Sequence, residues 1–201
     1  MAIGVLALQG AVAEHIARLR RLGAEAREVR EPHDLDGLEG IILPGGESTT
    51  LGKLMRRIGL DSALREFAGA GKPMFGTCAG MILMARSLDG NDQPLLGLMD
   101  MKVRRNAFGR QVDSFEQDLE VTGLDGDGFR GVFIRAPYVV ETGPEVSVLA
   151  QVDGHGVLVR QGRLMAAAFH PELTDDLRVH KLFVEMVQRG SQPPIHADGR
   201  R

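Results

Sequence analysis

The single cysteine of the sequence stands in a pattern that could activate it as a nucleophile. Cys78 lies in the stretch Gly76–Gly80 (GTCAG), directly after a short apolar segment that is typical of a buried strand. A strand that turns at once into a helix crowds the backbone around residue 78, and glycines two residues before and two residues after relieve that crowding. The helix N-terminus favours a thiolate over a thiol. The pattern favours a reactive cysteine in a cleft over the alternative, a buried cysteine that packs like a small hydrophobe.

A thiol nucleophile needs a base, and His170 is the histidine best placed to serve. It follows the apolar segment Leu164–Phe169 and precedes Pro171-Glu172. Residues i and i+2 of an extended segment point to the same face, so His170 and Glu172 should project together from a strand end. One ring nitrogen could then bond the carboxylate while the other faces the sulfur, an arrangement that contributes ~10²–10⁴-fold to a rate. The remaining histidines are predicted to be surface residues: His15, His33, His155, His180 and His196.

A glycine-rich loop, Leu43–Thr50 (LPGGESTT), forms the third element of this chemistry. Backbone N–H groups of such a loop can stabilise an oxyanion, and losing one donor typically costs ~10²–10³ in turnover. The loop is not a P-loop, because no Gly-Lys-Ser/Thr follows at the required spacing. Taken alone, it could equally be a plain turn whose Ser48 or Thr49 caps the next helix.

The elements that must position these residues alternate between strand and helix in the first half of the chain. Apolar runs predict strands at Ile3–Leu8, Gly40–Leu43 and Pro73–Thr77, and weak alternation predicts another at Glu25–Arg30. Helices are predicted over Ala11–Leu22, Ser48–Ile58, Asp61–Gly69 and Ala79–Ser87. This alternation indicates an α/β fold: a mostly parallel central sheet with helices on both faces.

The second half changes character, because short strands dominate it. They are predicted at 101–105, 115–121, 132–134, 146–152, 156–160 and 164–169, with a hairpin turn at Asp153–Gly156. A helix over Asp175–Gln188 should close the fold.

Composition restricts the class of protein further. The 201 residues suit one domain, predicted to span residues 1–190, followed by a disordered tail at 191–201 that contains two prolines. A net charge of −3 disfavours nucleic acid and anionic lipid as partners. One cysteine cannot form an internal disulfide or a cysteine-rich zinc site. No apolar run approaches the ~20 residues of a membrane span, and the N-terminus lacks the basic region of a secretory signal, so we expect a cytoplasmic protein.

The glycine-rich loop, the cysteine turn and the segment Phe169–Glu172, in this order along the chain, resemble the motifs of the class I (triad) glutamine amidotransferases. Further blocks narrow the resemblance to the glutaminase subunits of pyridoxal 5′-phosphate synthase, and it extends from about Ile3 to Arg189. These blocks are Leu8–Val12 followed by Glu14-His15, Leu43–Thr50, Arg105-Asn106 with Phe108–Phe115, Val132–Pro137 and Phe169–Thr174.

The resemblance implies a flavodoxin-like three-layer sandwich and hydrolysis of L-glutamine to L-glutamate and ammonia, with no cofactor and no metal. Cys78 would attack the amide carbonyl, His170 would carry the proton and Glu172 would hold the imidazole. The oxyanion would meet N–H groups of Gly45, Gly46 and Ala79, and Gln9 would help to order that loop. The implied substrate-binding residues are Gly46, Glu47, Ser48, Arg105, Ile134 and Arg135.

The resemblance also implies a partner, a (β/α)₈ synthase subunit that uses the ammonia to build pyridoxal 5′-phosphate. Three alternatives stay open at this point. One is a glutaminase subunit of another pathway, such as imidazole glycerol phosphate synthesis. The others are a related cysteine hydrolase or chaperone of the same architecture, and a regulatory module that has lost catalysis.

Overall fold

A computed structural model describes residues 1–90, 92–107 and 114–191. The strands are β1 (Ala2–Leu6), β2 (Glu25–Val29), β3 (Gly40–Leu43), β4 (Met74–Thr77), β5 (Ala85–Leu88), β6 (Met99–Arg104), β7 (Ser114–Leu119), β8 (Phe129–Ile134), β9 (Tyr138–Thr142), β10 (Ser147–Val152), β11 (His155–Gln161) and β12 (Leu164–Ala167). The helices are α1 (Val12–Arg21), α2 (Ser48–Ile58), α3 (Leu60–Gly69), α4 (Ala79–Met84) and α5 (Arg178–Ser191), with short 3₁₀ turns at Pro32–Leu35 and Pro171–Leu173.

Ten of the described strands form one sheet. Its strand order is β2-β1-β3-β4-β12-β11-β9-β6-β5, and β10 pairs with β11. The first five strands in this order, β2, β1, β3, β4 and β12, run parallel to one another. In contrast, β11 pairs antiparallel with β12, and β9 pairs antiparallel with β6. The strands β7 and β8 form a separate antiparallel ribbon. The predicted α/β fold, a mostly parallel sheet with helices on both faces, is confirmed.

The central strands are buried on both sides. Every residue of β1, β3 and β4 is buried, because helices cover both faces of a parallel sheet and leave its strands no solvent face. Parallel strands also bring their carboxyl ends to one edge, so the residues that follow β3, β4 and β12 meet there. Within the described residues, no helix combines the length and apolar character that crossing a membrane would require.

Several predicted elements differ from the structure at their ends. The helix predicted over Ala79–Ser87 stops at Met84, and Ala85–Leu88 instead forms β5, paired in parallel with β6. The strand β9 was not predicted at all. Both errors concern the far side of the sheet, where pairing with distant strands decides the conformation of short segments.

The hairpin predicted at Asp153–Gly156 is confirmed. Asp153 and Gly154 both have positive φ, 50° and 78°, as a two-residue turn between antiparallel strands requires. The tail predicted to be disordered lies, from residue 192 onward, outside the described residues.

Candidate active site

Cys78 occupies a sharp turn between β4 and α4. Its backbone angles are φ 48° and ψ −100°, and residues other than glycine rarely adopt such a positive φ. A Cβ atom on Gly76 would lie 2.5 Å from the carbonyl carbon of Gly80, and one on Gly80 would collide with the carbonyl oxygen of Leu43. The turn therefore depends on both glycines, as the sequence pattern predicts. The Cys78 side chain is mostly covered, yet it lines a surface cavity.

His170 and Glu172 lie next to this cysteine. The imidazole lines the same cavity as Cys78 and interacts electrostatically with it, and its Nδ1 atom lies 2.7 Å from Oε1 of Glu172. The local geometry is not the extended one that the sequence suggested. The strand β12 ends at Ala167, and the 3₁₀ turn Pro171–Leu173 brings the fully buried carboxylate of Glu172 back to the ring.

The surroundings of His170 favour its protonated form. Burial alone would lower its pKa, but the hydrogen bonds to Cys78 and Glu172 and the charge of Glu172 outweigh burial and raise the pKa to about 10. The cysteine is thus held next to a positive charge.

The glycine-rich loop passes directly over the imidazole. A Cβ atom on Gly45 would lie only 2.5 Å from Cε1 of His170. The side chain of Gln9 supports the loop, because its Oε1 accepts a hydrogen bond of 3.2 Å from the backbone N–H of Glu47. The amide of Cys78 already donates to the carbonyl of Ala167, 2.8 Å away. Ala79 begins α4, so its N–H has no acceptor within the helix.

The cavity in front of Cys78 encloses about 470 Å³. This volume is in the range of small-molecule sites. All six residues predicted to bind substrate line it, together with Gly45 of the predicted oxyanion loop. Among the described residues, the lining consists of Gln9, Gly10, Ala11, Gly45, Gly46, Glu47, Ser48, Cys78, Ile82, Arg105, Asn106, Ile134, Arg135 and His170.

Two of the predicted substrate-binding residues contact each other at the rim of this cavity. The guanidinium of Arg105 lies 3.3 Å from the carboxylate of Glu47, and it donates to Oε1 of Gln93 at 2.8 Å. The hydroxyl of Ser48 donates to the same Gln93 oxygen at 3.0 Å. Sequence reasoning missed Gln93, since nothing in its neighbourhood along the chain marks it.

Glu47 also caps α2, which the sequence assigned wrongly to Ser48 or Thr49. Its carboxylate accepts hydrogen bonds from the backbone N–H groups of Thr49 at 3.1 Å and Thr50 at 2.7 Å. A side-chain hydrogen bond from Thr50, followed by these backbone bonds, lowers the pKa of Glu47 to about 2. The carboxylate is therefore fixed and charged at the cavity rim.

Two histidines predicted to lie on the surface are completely buried, so that prediction is wrong for them. His15 and His180 have no exposed surface, and Nδ1 of His15 lies 3.0 Å from Nε2 of His180. The signal was present, because His15 falls in the apolar stripe Val12, Ile16 and Leu19 of α1. His33 is exposed and His155 is half-buried, whereas His196 lies outside the described residues.

Comparison with known proteins gives the family context of this site. The sequence profile of the SNO glutamine amidotransferase family matches residues 5–189. A pyridoxal 5′-phosphate synthase subunit PdxT from Carboxydothermus hydrogenoformans is 55% identical over 190 residues, which are 94% of this chain and 100% of that protein. A protein of the same name from Geobacillus kaustophilus is 56% identical over 188 residues, 94% of this chain and 95% of that protein.

A solved structure supports the same relationship. The crystal structure of a glutamine amidotransferase superposes with a TM-score of 0.88 at 52% identity, and the match covers 92% of this chain and 98% of that one. Part of one motif block that carried the resemblance, residues 108–113, lies outside the described residues.

Proposed function

Because the chain belongs to the SNO glutamine amidotransferase family, we propose that it hydrolyses L-glutamine to L-glutamate and ammonia. The ammonia would serve the synthesis of pyridoxal 5′-phosphate, because the relatives are named as subunits of the synthase that makes this product. The observation that carries this proposal is the hydrogen bond from Glu172 to His170, whose imidazole shares a cavity of small-molecule size with Cys78.

The proposed chemistry proceeds in two half-reactions. The Cys78 thiolate attacks the side-chain amide carbon of glutamine, and the C=O electron pair moves onto oxygen. As the tetrahedral intermediate collapses, the C–N bond breaks, His170 donates its proton to the leaving nitrogen, and ammonia departs from a γ-glutamyl thioester. A water molecule then attacks the thioester while His170 accepts its proton, which releases glutamate and restores the thiolate–imidazolium pair. Glu172 holds the imidazole in place through both steps.

The oxyanion formed in both steps needs donors on the loop side of Cys78. We assign this role to backbone N–H groups of Gly45, Gly46 and Ala79. The loop contacts His170 directly, and Ala79 follows the nucleophile at the start of a helix, where its N–H is not used by the helix itself. Such preorganised donors stabilise charge that develops only in the transition state.

Recognition of free glutamine requires partners for both of its charges. Arg105 and Arg135 line the cavity and suit the α-carboxylate, and the fixed charge of Glu47 suits the α-ammonium group. Gly46, Ser48 and Ile134 complete the proposed pocket. Since Glu47 and Arg105 are paired with each other, each is held in position before substrate enters.

The test is ammonia release from glutamine by the wild type and by Cys78→Ala, with and without a pyridoxal phosphate synthase subunit. We expect the alanine variant to lose activity and still bind the synthase subunit, because the thiol reacts but does not anchor packing. Alkylation of Cys78 by a glutamine-analogue electrophile should be blocked by glutamine. Glutamine hydrolysis by Cys78→Ala at the wild-type rate would exclude the mechanism.

We further propose that the partner is a (β/α)₈ synthase subunit and that the complex is cytoplasmic. The relatives are named as synthase subunits, which supports an assembly of this kind. Co-purification with the synthase subunit for pyridoxal phosphate, and not with the corresponding subunit for imidazole glycerol phosphate, is the expected result. Binding only to the latter would assign the ammonia to another pathway.

A further inference from the structure

A buried cluster of polar side chains lies behind Glu172, on the side away from the cavity. Nε2 of His15 is 3.4 Å from Oε2 of Glu172 and 3.2 Å from Oγ1 of Thr77. Nδ1 of His15 is 3.0 Å from Nε2 of His180. The four residues come from α1, the 3₁₀ turn Pro171–Leu173, β4 and α5, and all four are completely buried. The reaction proposed above uses only Glu172 of this set.

Glu172 needs something to fix its second carboxylate oxygen. Oε1 bonds His170, but Oε2 has no partner within hydrogen-bond geometry in the described part of the chain. Nε2 of His15 lies 3.4 Å from Oε2, just beyond the length of a normal N–H···O bond. Burying a carboxylate oxygen without a hydrogen-bond partner costs free energy. It also leaves the carboxylate free to rotate away from the imidazole.

The chemistry of the cluster selects one protonation pattern. Burial, with the neighbouring His180 and His170, lowers the pKa of His15 far below its usual value, so this ring is neutral and carries one N–H. Nε2 is hydrogen-bonded to the hydroxyl of Thr77, which can accept or donate, and it faces the carboxylate of Glu172, which can only accept, so the proton belongs there. Nδ1 must then accept, and the donor available to it is the Nε2–H of His180.

His180 is itself neutral, since burial and the nearby charge of Arg18 lower its pKa to about 4. In the pattern above it donates through Nε2 and leaves Nδ1 as a bare lone pair. The Nδ1 atom of His180 is indeed buried without a hydrogen-bond partner among the described residues. In the reverse pattern that atom would be an N–H without an acceptor, and His15 would direct a lone pair at the carboxylate.

The same helix holds Glu172 at a second point. Arg18, one turn after His15 on α1, donates from Nε to the backbone carbonyl of Glu172 at 3.3 Å. Thus α1 contacts both the main chain and the side chain of the residue that orients the imidazole. Two contacts from one helix are what a rigid support for Glu172 requires.

We propose that His15 is a positioning residue that directs the Glu172 carboxylate at His170 through its Nε2–H, and that His180 fixes the tautomer of His15 in which this donor exists. The inference rests on the proposed glutaminase activity. It adds a histidine pair, reached through Glu172, to the residues on which the turnover rate depends.

The test compares three substitutions of His15 in glutamine hydrolysis by the complex with the synthase subunit. His15→Gln places an amide N–H near the position of Nε2, His15→Asn places one near Nδ1, and His15→Leu places none. We expect kcat to fall about tenfold or more in His15→Leu and His15→Asn, with KM for glutamine within about twofold of wild type. In His15→Gln, most of this loss of kcat should be absent. Thermal melting of each variant accompanies the kinetics.

Asparagine and glutamine are both polar, so their comparison separates positioning from folding. A purely structural role would make kcat of the folded fraction the same in all variants, or make His15→Gln and His15→Asn equally slow. Either result overturns the proposal. If His15→Leu does not fold, the Gln–Asn pair alone still decides.

His180 supplies the second arm. His180→Leu should lower kcat less than His15→Leu, and the double variant should be no slower than His15→Leu alone, because His180 acts only through His15. Additive losses would show two independent effects and contradict the proposed order.

Wild type and Cys78→Ala are run alongside. If the wild type releases no ammonia, the proposed function fails, whereas an active wild type with unchanged His15 variants removes only this inference.

Discussion

At the scale of single residues, the site depends on charges and volumes that leave little freedom. Glu172 is completely buried and bonds the imidazole of His170 at 2.7 Å, so it sets the ring orientation and, after the interaction with Cys78, contributes to the raised pKa of that histidine. Gly45 gives the loop room to lie against the same ring. Each of these residues therefore has a substitution that changes one physical property alone.

Glu172→Gln removes the charge of the carboxylate and keeps its shape. We expect kcat for glutamine hydrolysis to fall by about 10²-fold or more, since the amide cannot stabilise the imidazolium and can hold the wrong tautomer. Steady-state kinetics measures the loss. The matched control is Glu66→Gln, an exposed residue of α3, which should keep wild-type rates. Equal rates for Glu172→Gln and wild type would remove Glu172 from the mechanism.

Gly45→Ala adds one methyl group that would lie 2.5 Å from Cε1 of His170 and 3.1 Å from its Nδ1. The loop or the ring must move, so kcat should fall at least about tenfold, as expected when an oxyanion donor is misplaced. Gly69→Ala is the control, because a Cβ there meets no atom within 4 Å. It should keep full activity and match or exceed wild-type stability. A fully active Gly45→Ala would show that the loop shifts without cost.

At the scale of elements, the N-terminus of α2 links stability to the cavity rim. The carboxylate of Glu47 caps the helix and also contacts Arg105. One side chain thus orders the helix and presents a charge to the substrate. The sequence showed a Ser-Thr-Thr run and suggested a hydroxyl cap, but the longer glutamate side chain reaches the same N–H groups.

Glu47→Ala and Glu47→Asp separate these two roles. Alanine removes the cap, which typically costs about 0.5–2 kcal/mol of stability, and should also raise KM for glutamine. Aspartate is a good capping residue, but its shorter chain withdraws the charge from Arg105, so it should keep most of the stability and still raise KM. Chemical denaturation and steady-state kinetics provide the two readouts. If the aspartate variant loses as much stability as alanine, the cap assignment is wrong.

At the scale of the whole molecule, the buried histidine pair joins elements that are distant along the chain. His15 on α1 and His180 on α5 meet beside β4, with Thr77, Glu172, His170 and Arg18 as the polar and charged groups around them. Both rings are neutral in the folded protein because burial lowers their pKa values. The unfolded chain would protonate both near the usual value of 6.5.

This difference makes stability fall on acidification. The pKa of folded His180 is about 4, so the unfolded chain binds more protons between pH 6.5 and 4, and the free energy of unfolding rises with pH across that window. The contribution of His180 is fully present above pH 6.5 and is lost as pH falls through about 4. For one group it amounts to roughly 3 kcal/mol.

His180→Gln tests this account, because it keeps a donor towards His15 but cannot titrate. Denaturant unfolding at several pH values should give a shallower decline in stability from pH 6.5 to 4 than in wild type. Its stability at pH 7 can be lower without affecting the comparison, since the slope is the readout. An identical slope in both proteins would show that His180 does not drive the loss.

The sequence by itself determined the fold class and predicted the chemistry of the site. Local backbone crowding requires glycines at 76 and 80, and a histidine and a glutamate two residues apart are close in any conformation. Because both features depend on short-range sterics, they could be predicted from the sequence. The resemblance built on these motifs is confirmed by the family match. The roles assigned to Cys78, His170 and Glu172 stay predictions.

Only the tertiary structure decided how distant segments meet. The pairing of Arg105 with Glu47 and Gln93, the strand β5 in place of a longer helix, and the burial of His15 and His180 all depend on contacts across the fold. A polar side chain in an apolar helical stripe can be buried only if another element supplies its hydrogen bonds. Which element does so is set by the packing of α1 against α5 and β4, and no local pattern contains that information.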